Sequence, residues 1–342
     1  MTNLARLAAA TLLALTLSSC SSSGQPAASS GAGGGAGEEG INIVASTPIW
    51  AHIAQEVADT VASDTPVTVT SVITNPDVDP HHFEPTAADV ARANDADIAV
   101  VGGGGYDAWL YQAMSNQDAI ISALPLVDHG GLRNPDAGNA AQSRVEVIDG
   151  NEHVWYDIDA ITLVAKDVAS AINALDPDAG ASAETVVAKT TSVRDRLAAL
   201  PARTYAQTEP IADYLLAPAP WTDKTPEKYR AVTLSEGEPA AADLARFLQA
   251  VQARDFDLLI YNPQTQTDLT QRIHDAAEAA GMPIVEIGET PVGGENFFDY
   301  YEQVLGALEK AASQAGADPA SQAGADPAGQ AASADSARKP GA

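Results

Sequence analysis

The sequence contains six histidines, His52, His81, His82, His129, His153 and His274, but only one cysteine, Cys20. A single cysteine excludes an internal disulfide, a thiolate zinc knuckle and a CxxC redox pair. Any metal chemistry therefore falls to imidazole and carboxylate. His81 and His82 lie in Asp79-Pro-His-His-Phe-Glu-Pro-Thr86, a loop held by two prolines between a strand and a capped helix. His153 lies in Asn151-Glu-His-Val-Trp-Tyr-Asp157, ahead of another helix. Two carboxylates stand at comparable places further on. Glu209 follows a strand ending near Gln207, and Glu289 follows one ending at Ile287. Two neutral imidazoles and two carboxylates make a closed site for a first-row divalent cation, whose charge the carboxylates neutralise. Singly, each signal has an ordinary structural reading: a solvated loop histidine, or a glutamate in a turn or cap.

The remaining candidates weigh differently. His82 neighbours His81, and successive side chains of an extended loop point apart. His129 sits in the turn Val127-Asp-His-Gly-Gly131, while His52 and His274 fall on helices and read as solvated faces. Glu84 reads equally as a hydrogen-bond partner for a ligating imidazole or as an acid favoured at a helix N-terminus. Gly102–Gly105 lacks the GK[ST] ending of a phosphate loop and reads as a turn. Trp109, Trp155 and Trp221 read as packing residues.

The elements that must position these groups alternate. Strand-like segments at 41–46, 67–72, 97–101, 204–207, 256–261 and 283–287 are interleaved with a helix opened by Thr86–Asp89 and with helical periodicity at 49–57, 106–114, 159–175, 210–217, 240–253, 267–280 and 297–311. Strands alternating with helices predict parallel βαβ units. The fold class is α/β, with a lobe over 41–177, a second over 201–311, and a long connecting helix over 178–200. Ligands of open parallel sheets bind beyond the carboxyl ends of the strands. A cleft between the lobes would gather His81, His153, Glu209 and Glu289.

Composition narrows the function. The 342 residues carry 18 basic and 46 acidic side chains, a net charge of −28. Such a surface repels phosphate backbones, which excludes nucleic-acid binding, and it attracts cations. Residues 1–19 hold one base, Arg6, before an apolar run that suits a secretory leader and is too short to span a bilayer. Leu17-Ser-Ser-Cys20 resembles a bacterial lipobox, which makes Cys20 the lipidation site. Residues 20–40, rich in Ser, Gly and Ala, read as a flexible tether. Ser313–Ala320 is repeated as Ser321–Ala328, and 312–342 reads as a disordered tail.

Asp79–Thr86 resembles the DPHxYEPT signature of the cluster A-I solute-binding proteins, the zinc, manganese and iron receptors of ABC importers. Asn151-Glu-His-Val-Trp155 resembles the NPHVW motif of that family, and Thr208–Leu215 and Tyr261–Thr265 resemble its second-lobe segments. The resemblance covers about 41–310. It implies two pseudo-symmetric lobes on a rigid helix, with His81 and His153 as the first two ligands. Glu209 takes the third place, where zinc receptors usually have His, and Glu289 the fourth, usually Asp. The His- and acid-rich loop common in zinc members is missing, since 129–150 holds only His129. The expected function is a lipid-anchored, monomeric receptor on the extracytoplasmic face of the bacterial membrane. It carries Mn2+ ahead of Zn2+, with Fe2+ behind, to a permease with a cytoplasmic ATPase, and it is not an enzyme. The alternatives are a surface adhesin or structural lipoprotein, and a metallohydrolase, although HExxH is absent.

Overall fold

The computed structural model describes residues 40–75, 78, 80, 83–128, 131–132 and 148–315. Cys20 with the leader and nearly all of the tether, His81, His82, His129 and residues 316–342 lie outside the described residues.

The first lobe runs β1 (Ile41–Ala45), α1 (Pro48–Ala58), β2 (Val67–Ser71), α2 (Ala87–Asn94), β3 (Ile98–Val101), α3 (Ala108–Tyr111) and β4 (Ile120–Ser122). A small hairpin, β5 (Val127–Asp128) and β6 (Gly131–Leu132), and then α4 (Ile158–Leu175) complete it. The sheet order is β2-β1-β3-β4, all parallel. Central β3 is an aliphatic run, as is β1 apart from the exposed Asn42, because helices cover both faces of a parallel sheet. Helix α2 starts at Thr86 with a capping box: Thr86 accepts from the Asp89 amide at 3.2 Å, and Asp89 accepts from the Thr86 amide at 2.9 Å.

The connecting helix, α5, occupies Glu184–Ala198, fifteen residues rather than the whole of 178–200. At 1.5 Å per residue it is about 22 Å long. Three local features delay its start. Pro177 cannot continue a helix, Gly180 adopts φ +62°, and the Asn173 side chain takes both the amide and the carbonyl of Ala181 at 2.8 Å.

The second lobe runs β7 (Arg203–Gln207), α6 (Asp213–Leu216), β8 (Trp221–Asp223), α7 (Glu227–Thr233), α8 (Ala241–Ala253), β9 (Leu258–Tyr261), α9 (Asp268–Ala279), β10 (Ile284–Glu286) and α10 (Phe297–Ala315). Its parallel sheet has the order β10-β9-β7-β8. Counted within each lobe, both sheets read second-first-third-fourth, which is the expected pseudo-symmetry. The edge strands β4 and β8 and the helix α7 have no counterpart in the sequence reading. Each of those two strands is three residues long, too short for a period to register.

Helix α10 passes the expected tail boundary at 312 and ends at Ala315. Ala311 and Ala312 are buried, and Arg203 donates twice to the Ala312 carbonyl, at 2.9 and 2.7 Å. The same helix returns to the first lobe, where Tyr301 donates to the Tyr156 carbonyl at 2.8 Å. His52, expected on a solvated face, is half-buried there, and its Nδ1 accepts from the Phe297 amide at 3.1 Å. One apolar cluster runs from Ile41 through Trp155 to Leu308, so the lobes share a core. Among the described residues no helix is long and apolar enough to cross a membrane.

Candidate metal centre

Three of the four expected residues converge. Glu209 leaves β7 in extended conformation, just before a turn at Pro210–Ala212. Glu289 follows β10. His153 precedes the helical turn Val154–Tyr156 that leads into α4, so it does not leave a strand directly. Its Nε2 lies 3.5 Å from Glu289 Oε1 and 3.9 Å from Glu209 Oε1. One ligand atom from each residue falls within 4.8 Å of the other two. His153 and Glu289 are buried, at 5% and 2% exposure, while the Glu209 side chain keeps 20%. The fourth, His81, lies outside the described residues.

The carboxylates are held in place by neighbours. Asn262, just past β9, donates through Nδ2 to Glu209 Oε2 at 2.6 Å and to Glu289 Oε1 at 2.9 Å. Thr265 donates to Glu209 Oε2 at 2.6 Å, and Tyr106 donates to Glu289 Oε2 at 3.3 Å. Gly288 is clamped between the lobes: its carbonyl accepts from Tyr156 and its amide donates to the Tyr300 hydroxyl, both at 2.8 Å. A Cβ at Gly288 would stand 2.7 Å from Gln264 Oε1, so any larger residue here would displace the Gln264 side chain. On the histidine, Nδ1 faces Asn151 Oδ1 at 2.6 Å, which directs Nε2 toward the carboxylates. Trp155 lies against the imidazole at 5.1 Å and against Tyr106 at 4.4 Å, as packing.

The electrostatics suit a cation. Burial opposes charge on His153 most strongly, yet Glu289 and then Glu209 outweigh it and raise the imidazole to about 9. Burial, then the nearby Glu289 charge, pushes the Glu209 carboxyl above its ordinary value. A buried and a half-buried carboxylate with an imidazole, all converging on one point, are the donor set of a first-row divalent ion.

The other candidates fall elsewhere. Glu84 is exposed. The Gly102–Gly105 segment is a turn, with φ of +81° at Gly103 and +60° at Gly104. Trp109 packs on Phe83 at 4.7 Å and Trp221 on Tyr205 at 6.2 Å. His274 is not on a solvated face: its half-buried ring lies on Tyr261 at 4.8 Å. His274 does approach Asp275 and Glu278 on α9, but both acids are exposed and Gln271 donates to Asp275 at 2.6 Å. Asn262, Thr265, Tyr106 and Asn151 are the positions bonded to this cluster that the reading of single residues missed. Asn262 and Thr265 lie in Tyr261–Thr265 and Asn151 in Asn151–Trp155, and those motifs were their only signal.

Three comparisons bear on this geometry. A manganese-binding lipoprotein, MntA, of Halalkalibacterium halodurans is 25% identical over 148 residues, a stretch covering 41% of this chain and 41% of that protein. Among solved structures, the laminin-binding protein Lmb of Streptococcus agalactiae aligns over 81% of this chain and 100% of its own, at 16% identity and TM-score 0.59. The solute-binding protein FpvC of Pseudomonas aeruginosa, in complex with Mn2+, aligns over 81% and 100%, at 17% identity and TM-score 0.58. At such identities the structures establish the fold. The profile of the family described as zinc-uptake complex component A, periplasmic (ZnuA), matches residues 43–311, nearly all of the described body, and the chain belongs to that family.

Proposed function

We propose that this protein is an extracytoplasmic receptor, held to the membrane through a lipidated Cys20, that binds a divalent transition metal between its lobes and delivers it to an ABC importer. One observation carries the reading: His153 from the first lobe meets Glu209 and Glu289 from the second, with ligand atoms within 4.8 Å. His81 is the fourth ligand. Such a set encloses a bare cation and leaves no open position for a reacting water, which disfavours a hydrolase. Asn262 and Tyr106 donate to the Glu289 oxygens and Asn262 and Thr265 to Glu209 Oε2, which weakens both glutamates as general bases.

Mn2+ is the favoured cargo and Zn2+ the next. Zinc binds most nitrogen and oxygen sites more tightly, so selectivity must come from geometry and supply. Two carboxylates make this site harder than three imidazoles with one carboxylate, and bidentate glutamates raise the coordination number toward six. The manganese-binding relative supports this order, whereas the family description names zinc. The deciding experiment is metal analysis of protein purified without added metal, followed by competitive titration with Mn2+ and Zn2+. Glu209→His should shift the preference toward Zn2+. Protein that carries no metal and binds none at micromolar concentration would overturn the receptor and favour the adhesin alternative.

A further inference from the structure

Asn151 is buried at 2% exposure, and both ends of its amide are engaged. Oδ1 accepts from the His153 amide at 2.9 Å and faces His153 Nδ1 at 2.6 Å. Nδ2 donates across the cleft to the Pro210 carbonyl at 2.6 Å and to Asp213 Oδ2 at 2.8 Å. Two acceptors at one end dictate the orientation of the amide. The NH2 must face them, so the oxygen must face the imidazole. A carbonyl oxygen only accepts, so Nδ1 carries a proton and Nε2 is the ligating nitrogen.

Asp213 is itself fixed. It is 8% exposed, and Arg230 grips it with two parallel bonds, at 3.0 and 2.9 Å. Gln207 adds a third donor at 2.6 Å. A guanidinium only donates, so both Asp213 oxygens are acceptors and Asn151 cannot turn over. The Pro210 carbonyl belongs to the residue next to Glu209. The bond from Asn151 therefore also sets the spacing between His153 in one lobe and Glu209 in the other.

We propose that Arg230, Asp213 and Asn151 form a positioning chain. It runs from the second lobe to His153, fixes which imidazole nitrogen points into the centre, and holds His153 and Glu209 at ligating distance. This inference rests on the reading of His153 and Glu209 as ligands. The chain sets metal affinity without touching the metal.

The test is Zn2+ affinity, by competition with a chromophoric chelator, for wild type, Asn151→Ala, Asp213→Asn and the double variant. Loss of such an outer partner costs roughly ten- to a hundredfold in affinity, and each single variant should fall in that range. An Asn at 213 loses the charge-assisted grip of Arg230 and leaves the Asn151 amide held chiefly by the Pro210 carbonyl. Asp213 acts through Asn151, so the double variant should be no weaker than the weaker single, within about threefold. Zn2+-loaded wild type should show a protonated His153 Nδ1 in long-range 1H–15N spectra, and Asn151→Ala should lose that signal. Should Asp213→Asn fail to fold, Arg230→Lys serves instead, because it keeps the charge and loses the fork. Singles at wild-type affinity, or losses that multiply in the double variant, would overturn the chain. If His153→Ala abolishes Zn2+ binding while Asn151→Ala retains it, the centre stands and the chain falls. If wild type binds no Zn2+, the centre fails and the chain with it.

Discussion

Glu209→Gln separates a metal ligand from a structural ion pair. In the metal-free protein Glu209 experiences two large Coulomb effects. Glu289 lies within 4.8 Å and His153 at 3.9 Å. At an effective dielectric constant of about 20, the repulsion is at least about 3.5 kcal/mol and the attraction to a charged imidazole about 4.3 kcal/mol. These nearly cancel and leave the cost of burial, which is why the Glu209 carboxyl lies above its ordinary value. A neutral glutamine of the same shape should therefore leave the metal-free protein within about 1 kcal/mol of wild type, or more stable. A structural buried ion pair behaves otherwise, and removing one partner costs about 3–5 kcal/mol. With metal the order reverses. At a hundred times the wild-type Kd, bound metal adds about 2.7 kcal/mol, but only about 1.4 kcal/mol if the variant binds tenfold more weakly. At about 2–4 °C per kcal/mol for a body of this size, the metal-induced rise in Tm should shrink by roughly 3–5 °C. The assay is thermal unfolding with chelator and with Mn2+ or Zn2+. A variant that loses about 3 kcal/mol without metal, or keeps the full metal-induced rise, refutes the reasoning.

Alanine at His81, His153 or Glu289 should weaken Mn2+ and Zn2+ at least tenfold, about 1.4 kcal/mol, while His274→Ala stays at wild-type affinity in the same titration. Burial raises the Asp107 carboxyl from 3.8 to about 6 although Ser46, Gly102 and Gly103 donate to it, so the folded state binds this proton more tightly and stability falls as pH rises between those values. The loss amounts to about 3 kcal/mol, of which roughly 1.4 kcal/mol falls between about pH 5 and 7.5; the stability difference from Asp107→Asn, measured in urea, should carry that slope, and a flat difference refutes it. Truncation after Ala315 should leave Tm and metal affinity unchanged, whereas truncation after Ala311 should lower Tm because it removes the carbonyl that Arg203 holds. Cys20→Ala should leave the protein unprocessed or release it to the medium; a mature, lipid-labelled product would refute the anchor.

The long elements were legible because their patterns are long. The aliphatic runs of β1, β3 and β9 and the capping signal at Thr86 each say what they are. The short edge strands were not, because Ile120–Ser122 and Trp221–Asp223 are ordered by their neighbours in the sheet rather than by their own pattern. Helix α5 was overestimated because apolar spacing alone does not register a side chain such as Asn173 capturing the backbone at Ala181. At the centre, histidine and glutamate announce themselves by type. Asn262 does not. Its role depends on standing between two carboxylates from loops far apart in sequence, 53 and 27 residues away.

The repeated topology explains why the proposed metal centre falls in one place. Each lobe has the same strand order, so each has a crevice where the crossovers diverge, between β1 and β3 and between β7 and β9. In the first lobe that crevice is filled by the protein itself. Asp107 accepts from Ser46 and the Gly102 amide, both at 2.6 Å, and from the Gly103 amide at 3.0 Å. Glu152 accepts from the Gly105 amide at 2.5 Å. The amides that would seat an anion are already occupied by carboxylates. In the second lobe the strand ends supply Glu209 and Asn262, with Glu289 beside them, and the charge there exceeds what their donors offset. The first lobe adds His153 across the cleft, so a symmetric fold acquires one asymmetric site, and the function resides in that asymmetry rather than in the fold.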